Sequence, residues 1–265
     1  MRENLKNINN YKPVKNFSVC TLVTNFDEFQ EMITSFQRAG FNDENTEFIY
    51  VDNSNSNTDD GFSGLNKFLN LASGKYIIIC HQDILLKYDN IDVLNHCIAE
   101  LDILDPHWAI LGNAGFNGLT EKYCRISDPW GENTKIGQFP AKVKSLDENF
   151  LLIRNEANLA LSHDLNGFHM YGTDLCTIAS FLGWNAYVID FHLHHKSGGN
   201  CNESFTLAKK SFIDKYSKLL SILYIRTTCT PMIITSSPFL NRLLNRKIIY
   251  SIRKRIETLF SINLS

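Results

Sequence analysis

Three groups of polar residues each follow a short apolar run and could bind a ligand. They are Thr24-Asn25, Asp52-Asn53 and His81-Gln82-Asp83. The Asp52 carboxylate could accept hydrogen bonds from a ribose or a base, and Asp83 could hold a hard divalent cation against a diphosphate. Asp and Asn are also common turn residues, so turn formation is a sufficient explanation for each group taken alone.

A further cluster, Gly167 to Leu175, places Thr173 and Asp174 where a helical apolar pattern begins. Thr173 is a good N-cap residue, and Asp174 would lie favourably near the positive end of the helix dipole. The same carboxylate, if it faced a ligand crevice, could act as a general base toward a hydroxyl group. The pattern leaves both interpretations open.

Three histidines, His192, His194 and His195, follow an apolar run that ends at Phe191. If the strand period continues, His192 and His194 share one face while His195 points the other way. The three imidazoles cannot then bind one ion without a bend, so the pattern favours one metal ligand over three. For His192 and His194 we expect packing or hydrogen bonding rather than metal binding.

The elements that must position these groups alternate between strand and helix. Apolar runs predict strands at 19–24, 47–51, 76–80 and 108–111, and helical apolar stripes lie between them. Alternation of this kind predicts a doubly wound, Rossmann-like α/β fold, in which a mainly parallel sheet carries helices on both faces. Ligands of such sheets bind beyond the carboxyl ends of the strands, where the three polar groups lie.

The alternation stops between Gly112 and Lys144, a region rich in Gly, Asn and aromatic residues without a sustained period. We expect an irregular insertion there, which either covers a ligand or forms a plain surface excursion. A strand at 150–154, a helix around 175–182 and a strand at 186–191 complete the predicted domain.

Composition limits the class of protein. The 265 residues are 44% hydrophobic, enough for one large core. The seven cysteines never form a Cys-x-x-Cys pair, which indicates reduced thiols in the cytoplasm. Residues 1–16 form a polar extension that lacks the apolar run of a secretory signal, and no stretch reaches the roughly 18 apolar residues of a membrane span. We therefore expect a cytoplasmic protein, soluble or attached only peripherally to the inner face of the plasma membrane.

The C-terminal region 206–265 is strongly basic. It holds eleven Lys and Arg against Asp214 and Glu257, a net of +9, so the remainder of the chain carries −11. Interleaved leucines and isoleucines predict an amphipathic helical tail, which either lies on an anionic membrane surface or packs as a solvated helical hairpin. A nucleic-acid partner is not expected, because the predicted crevice is acidic.

Taken in order from Phe17 to Gly199, these segments resemble the GT-A fold glycosyltransferases, particularly the family 2-like enzymes of bacteria that build surface polysaccharide. The segments that carry the resemblance are Thr24 with Tyr50-Val51-Asp52-Asn53-Ser54, Asn66 with Ala72 to Ile77, His81-Gln82-Asp83, Tyr171-Gly172-Thr173-Asp174-Leu175 and His195-Lys196-Ser197-Gly198-Gly199. In the family these positions correspond to the uridine-binding segments, the stretch before the metal-binding turn, the Asp-x-Asp motif, the catalytic acidic residue and a C-terminal metal-binding histidine.

The resemblance implies that residues 17–205 form a catalytic domain for a nucleotide-sugar donor, a UDP-sugar by family precedent. It implies donor binding by Thr24, Asp52, Asn53, Asn66 and Asp83. It further implies that Asp83 and His195 hold Mn²⁺ or Mg²⁺ and that Asp174 deprotonates the acceptor, so that the anomeric configuration inverts. The acceptor would be a hydroxyl of a glycan or lipid-linked glycan in surface polysaccharide or lipopolysaccharide synthesis.

Three positions depart from the family pattern. His81 stands at the first acidic position of Asp-x-Asp, Leu65 stands where many relatives have Arg, and Thr173 replaces an acidic partner of the base. The Gln-x-x-Arg-Trp motif of processive members is absent, which predicts one sugar transferred per encounter.

Two other classes of protein remain open. One is a non-catalytic nucleotide- or carbohydrate-binding protein on the same fold. The other is a nucleotidyltransferase, which would need a Gly-rich loop bearing Arg or Lys after the first strand, and Thr24 to Asp27 is not such a loop.

Overall fold

The computed structural model describes residues 13–199, 202–219, 222–226 and 231–246. The chain divides into two compact units, Met1–Lys209 and Lys210–Ser265. Most of the expected polar extension 1–16 lies outside the described residues, and the first strand begins inside it. Among the described helices, none is long and apolar enough to cross a membrane.

The strands of the first unit are β1 (Lys15–Val23), β2 (Thr46–Asp52), β3 (Gly74–Cys80), β4 (Ile84–Leu85), β5 (Trp108–Gly112), β6 (Ala114–Asn117), β7 (Glu121–Asp128), β8 (Gly131–Ile136), β9 (Ala141–Val143), β10 (Ser145–Leu146), β11 (Phe150–Arg154), β12 (Asn185–Val188) and β13 (Leu193–His195). The helices are α1 (Phe26–Arg38), α2 (Gly61–Leu71), α3 (Ile91–Leu104), α4 (Tyr171–Phe181) and α5 (Glu203–Leu219), and α5 contains the division between the units.

A seven-stranded sheet in the order β2-β1-β3-β11-β5-β12-β9 forms the centre of this unit. Strands β2, β1, β3, β5 and β12 run in one direction, and β11 and β9 run against them. The predicted mainly parallel α/β sheet is therefore confirmed. The strands predicted from the four apolar runs are all present.

Helices cover both faces of the sheet. On β3, Tyr76, Ile78 and Cys80 join the buried cluster that contains α1 and α3 residues. The alternate residues Ile77 and Ile79 are buried as well, which requires cover on the second face. Helices α2 and α4 contribute buried residues outside that cluster: Phe62, Leu65, Phe68, Leu175, Cys176 and Ala179.

Polar caps start the helices directly after the strands or their loops. Asn25 accepts hydrogen bonds from the backbone N–H groups of Asp27 and Glu28, so α1 begins at Phe26, three positions after the end of β1. Asp60 and Ser63 form a capping box at the start of α2. These caps fix the starts of α1 and α2 beyond the carboxyl ends of β1 and β2.

The expectation of an irregular insertion between Gly112 and Lys144 was wrong. This region folds into strands of a second sheet, ordered β10-β6-β7-β13-β4, with β8 paired to β7. Strand β7 buries Cys124 and Ile126 at alternate positions, a period of two that its Lys, Arg and Asp neighbours obscure in the sequence. The second sheet connects this insertion to β13 and β4, which carry candidate site residues.

The second unit contains elements that differ from the predicted helical tail. Strand β14 (Leu223–Arg226) pairs antiparallel with β15 (Pro231–Ile234), and α6 (Pro238–Leu244) follows with Ser237 as its N-cap. The helix prediction was wrong for the hairpin, where β-branched isoleucines and Pro231 favour strand over helix. The basic segment Lys247 to Arg255 lies outside the described residues.

Candidate functional site

A cleft of about 650 Å³ opens at the carboxyl ends of β1 and β3. One part of its wall is polar and comes from Thr24, Glu28, Asn53, His81, Gln82, Asp83, Asp147, Glu148, Asn149, His195 and Ser197. Another part is aromatic and comes from Phe168, His169, Tyr171 and Phe205. This position is where open α/β sheets bind ligands, and the mixed lining suits a ligand with charged and ring-shaped parts.

Strand pairing brings His195 to Asp83. Strand β13 pairs antiparallel with the short β4, and in this register His195 lies opposite Ile84, the residue after Asp83. The backbone N–H of Lys196 donates to the Asp83 carbonyl at 3.1 Å. The two side chains, far apart in sequence, are therefore held by backbone hydrogen bonds at the mouth of the cleft.

His81, Asp83 and His195 form a candidate metal centre. Their ligand atoms lie within 4.8 Å of one another, and Nε2 of His195 is 3.4 Å from Oδ1 of Asp83. Two ligands about 2.1 Å from a shared cation and at right angles lie roughly 3 Å apart, so this spacing fits a single ion. Neighbouring groups orient the rings: the Tyr171 hydroxyl is 2.9 Å from His81 Nε2, and the Ser197 hydroxyl is 3.0 Å from His195 Nε2.

The ionisation of these groups also fits a cation. Burial by itself would raise the pKa of Asp83, but hydrogen bonds from His195 and Ser197 and the His195 charge outweigh it and lower that pKa. Burial, with a contribution from His195, lowers the pKa of His81. The centre therefore offers an ionised carboxylate and a neutral imidazole, which are the forms that bind metals.

The other two histidines of the cluster lie elsewhere. The His192 ring stacks on Tyr88 at 3.9 Å between centroids, and its Nε2 is 2.9 Å from the Ser127 hydroxyl. His194 pairs in register with Leu85 and lies outside the lining of the cleft. Among the described residues, His195 is thus the member of this cluster that lies beside Asp83.

The segment after β1 is joined to the metal-binding turn by Gln82. Its Oε1 accepts from the backbone N–H groups of Thr24 and Asn25, at 2.8 and 3.0 Å, and its Nε2 donates to Thr24 Oγ1 and Glu28 Oε2. Thr24 lines the cleft as expected. The amide of Gln82 therefore fixes the distance between the predicted uridine-binding segment and Asp83.

Asp52 and Asn53, the other predicted uridine-binding residues, differ in position. Asn53 is buried at the cleft, where its side chain donates to the Asp59 carbonyl and accepts from Thr58. Asp52 is exposed and lies outside the cleft lining, and hydrogen bonds from Ser54 lower its pKa. An ionised carboxylate at the rim remains available to a ligand that extends beyond the cleft.

Asn66 does not reach the cleft. Its side-chain amide donates to the Leu161 carbonyl at 3.1 Å and accepts from the Leu161 N–H at 2.8 Å. This reciprocal pair anchors the loop before α4 to α2. The structure therefore gives Asn66 a positioning role and does not bring it to the donor site implied by the resemblance.

The start of α4 differs from the expectation. The helix begins at Tyr171, and its N-cap is Met170 with φ 71°, so the prediction that Thr173 is the N-cap was wrong. Asp174 lies one turn further on and is fully buried. Its carboxylate accepts from the Ser162 N–H and hydroxyl, both at 2.8 Å, and it is not part of the cleft lining.

Two carboxylates that the sequence interpretation did not select do line the cleft. Asp147 and Glu148 immediately precede β11. That strand runs antiparallel to β3, with Phe150 opposite Cys80, so its beginning lies at the carboxyl end of β3. A search restricted to residues after strands misses this position, because it assumes that every strand runs the same way.

The fold is similar to solved structures of TarS from S. aureus. Against TarS 1–349 in complex with UDP, the TM-score is 0.50 at 12% identity, with 76% of this chain and 65% of that chain covered. Against TarS 1–349 alone, the TM-score is 0.48 at 14% identity, with 76% and 66% covered. The chain spans less than two thirds of these TarS chains. Together with the sheet order, the likeness to the UDP complex of TarS identifies the GT-A fold.

The chain belongs to the same family as the protein "ATP synthase subunits region ORF 6" of Fuscovulum blasticum. The two are 38% identical over 208 residues, which cover 76% of this chain and 84% of the relative. That name states no activity. The chain matches no established family profile.

Proposed function

We propose that this protein is a metal-dependent glycosyltransferase that transfers one sugar from a UDP-sugar to an acceptor hydroxyl with inversion at the anomeric carbon. The observation that carries the proposal is the meeting of Asp83 and His195, with His81, at the carboxyl end of β3 in a GT-A fold. The TarS structure that matches this fold with a TM-score of 0.50 is a complex with UDP, which supports a nucleoside-diphosphate donor.

The donor diphosphate would lie beside the candidate metal centre, and the nucleoside would lie toward Thr24, Asn53 and the rim carboxylate Asp52. When bound by His81, Asp83 and His195, a divalent cation would neutralise the charge that develops on the leaving diphosphate. Two imidazoles with one carboxylate suit Mn²⁺ better than Mg²⁺, because Mg²⁺ prefers oxygen ligands. Mn²⁺ is therefore our first choice among the two ions considered.

The aromatic part of the cleft is the proposed acceptor side. Phe168, which is 41% exposed, lines the cleft with His169 and Phe205. Close by, Trp130 is 81% exposed and donates its indole N–H to the carbonyl of Gly198, a cleft residue. Exposed aromatic faces suit a polyhydroxylated ring with apolar C–H surfaces, so we propose a glycan or lipid-linked glycan as acceptor in surface polysaccharide synthesis.

The resemblance assigns the general base to Asp174, and that assignment stays a prediction. The role requires a carboxylate in contact with the acceptor hydroxyl, whereas Asp174 is buried beneath Ser162. A base at Asp174 would therefore require the segment around Ser162 to move when substrates bind.

We further propose a cytoplasmic location with peripheral attachment to anionic membrane. The buried cysteines of the described residues are free thiols: Cys20, Cys80, Cys97, Cys124 and Cys176. The basic C-terminal region supplies a charge that anionic lipids attract.

In liposome flotation, neutralising Arg253, Lys254 and Arg255 to Gln in the full chain should reduce recovery with anionic vesicles. Neutralising Lys87, Lys142 and Lys144, which are exposed and lie outside the basic C-terminal region, is the matched control, and equal recovery of both variants would argue against the tail as anchor.

Release of nucleoside diphosphate from a panel of UDP-, GDP- and dTDP-sugars tests the catalytic proposal, with CMP release scored for CMP-sugars. We expect turnover of a UDP-sugar with Mn²⁺ and loss of turnover with chelator, and the Asp83→Asn variant should behave like the chelated enzyme. Metal-dependent binding of a donor without turnover in the presence of acceptor glycans would favour the non-catalytic binding protein. Turnover that chelator leaves unchanged would overturn the metal role.

A further inference from the structure

Glu148 lies at the point where the cleft meets the start of α4. Its Oε1 accepts a hydrogen bond from the backbone N–H of Gly172 at 3.4 Å. The N-cap of this helix, Met170, makes no side-chain capping hydrogen bond. The Glu148 carboxylate therefore lies at the positive end of the helix while still lining the cleft, and the helix dipole favours its ionised form against the opposing effect of burial.

The close approach depends on a glycine. A Cβ atom at Gly172 would lie 2.6 Å from the Leu146 carbonyl oxygen and 3.2 Å from Glu148 Cγ. The absence of a side chain at Gly172 thus lets the Leu146–Glu148 segment pack against the first turn of α4. The backbone of that segment is held further by the Tyr171 hydroxyl, which donates to the Glu148 carbonyl at 3.3 Å.

The surroundings of Glu148 favour proton exchange near neutral pH. Burial raises its pKa to about 8, the nearby Asp147 charge adds to the increase, and the N–H groups of Gly172 and Met170 oppose it. A carboxylate whose pKa is close to the working pH is an effective proton acceptor, because it is basic and still partly ionised. Tyr171 and Cys176 on α4 also interact with Glu148, and the Tyr171 hydroxyl lies 2.9 Å from His81 Nε2.

The alternatives are less suited to contact an acceptor. Asp174 is fully buried, and Ser162 donates to both of its oxygens. Asp147 is exposed, and its Oδ1 accepts from the Asn149 N–H at 3.0 Å in a local turn. Among the described carboxylates of the cleft, Glu148 combines access from the cleft with a position fixed by a helix and a strand.

We propose, on the basis of the function proposed above, that Glu148 is the general base that deprotonates the acceptor hydroxyl. The proton passes from the acceptor oxygen to the Glu148 carboxylate while that oxygen forms a bond to the anomeric carbon. The bond between the anomeric carbon and the donor phosphate oxygen breaks in the same displacement, and the nucleoside diphosphate leaves with the electron pair. Atoms and charge balance without a further reactant.

The test compares Glu148→Gln with wild type on the UDP-sugar that wild type turns over, with Mn²⁺ present. Gln keeps the size of the side chain and an oxygen that can accept from Gly172, but it cannot take a proton. We expect kcat to fall at least about 100-fold, while donor affinity and melting temperature stay no lower than in wild type. Glu44→Gln, at an exposed position outside the cleft, is the matched control and should keep wild-type turnover.

Each result decides between assignments. Turnover of Glu148→Gln within about threefold of wild type would overturn the inference, as would a loss that is accompanied by lost donor binding or a lower melting temperature. If Asp174→Asn abolishes turnover and Glu148→Gln does not, the base is Asp174. An inactive wild type on every donor would instead overturn the proposed function, and the role of Glu148 would fall with it.

Discussion

Nε2 of His195 lies 3.4 Å from Oδ1 of Asp83, although the two residues lie far apart in the sequence. The β4–β13 pairing sets this distance through the backbone, so it does not depend on a flexible loop. Because the pair is held in place by the backbone, we expect substitutions at either residue to weaken ligand binding more than they destabilise the fold.

The first prediction concerns the charge of Asp83. The Asp83→Asn variant keeps the shape of the side chain but removes the carboxylate that faces His195. We expect UDP-sugar affinity in Mn²⁺ to fall roughly 100-fold and to match wild type measured in chelator. Isothermal titration calorimetry gives both values.

Asp92→Asn, an exposed change in the first turn of α3, is the control for loss of one surface carboxylate. Wild-type, metal-dependent affinity in Asp83→Asn would remove Asp83 from the metal centre.

The second prediction separates adjacent histidines. His195→Ala should lower Mn²⁺ affinity at least about tenfold, because it removes an imidazole from the candidate centre. His194→Ala, on the same strand, should leave Mn²⁺ affinity unchanged because His194 lies outside the cleft lining. Water-proton relaxation or electron paramagnetic resonance of Mn²⁺ measures both, and equal losses in the two variants would contradict this assignment.

The third prediction concerns the dependence of turnover on pH. If Glu148 must be ionised, activity falls as pH drops below its pKa of about 8. Asp147 is a like charge that raises this pKa, so Asp147→Asn should lower the pKa and move the acidic limb of the kcat profile to lower pH. A limb that stays in place would show that another group controls it.

The fourth prediction concerns the support of Asp174. Ser162→Ala removes a hydroxyl that donates to its buried carboxylate at 2.8 Å. We expect the free energy of unfolding to fall by about 1–3 kcal/mol, measured by urea denaturation. Ser180→Ala, exposed near the end of α4, should change it by no more than about 0.5 kcal/mol. No loss in Ser162→Ala would show that this hydrogen bond adds nothing to stability.

The sequence predicted the parallel strands because continuous apolar runs indicate strands that are buried on both faces of a sheet. It predicted the position of the cleft because ligands of such sheets bind beyond the carboxyl ends of the strands. It predicted Thr24, Asn53 and Asp83 at the cleft because these residues follow strands that run in one direction, whereas the assignment of His195 came from the family resemblance. Asn66 and Asp174 failed to reach the cleft because residue type and motif order do not encode which way a side chain turns. In both cases a nearby backbone group or hydroxyl captures the side chain: Leu161 in one and Ser162 in the other.

The carboxylates Asp147 and Glu148 were missed for a different reason. Strand direction is a tertiary property, and β11 enters the sheet between β3 and β5 in the opposite sense. The second sheet was missed because charged residues surround the buried positions of β7 and hide their period of two. Whether Cys124 and Ile126 are buried depends on strands elsewhere in the chain that pack against them.

The register between β4 and β13 has a consequence for biosynthesis. A nascent chain that has emerged only as far as β12 possesses Asp83 and His81 but lacks His195, the residue that completes the centre. The proposed metal centre can therefore be complete only after β13 has paired with β4, so a chain that ends before β13 holds two of its three candidate ligands.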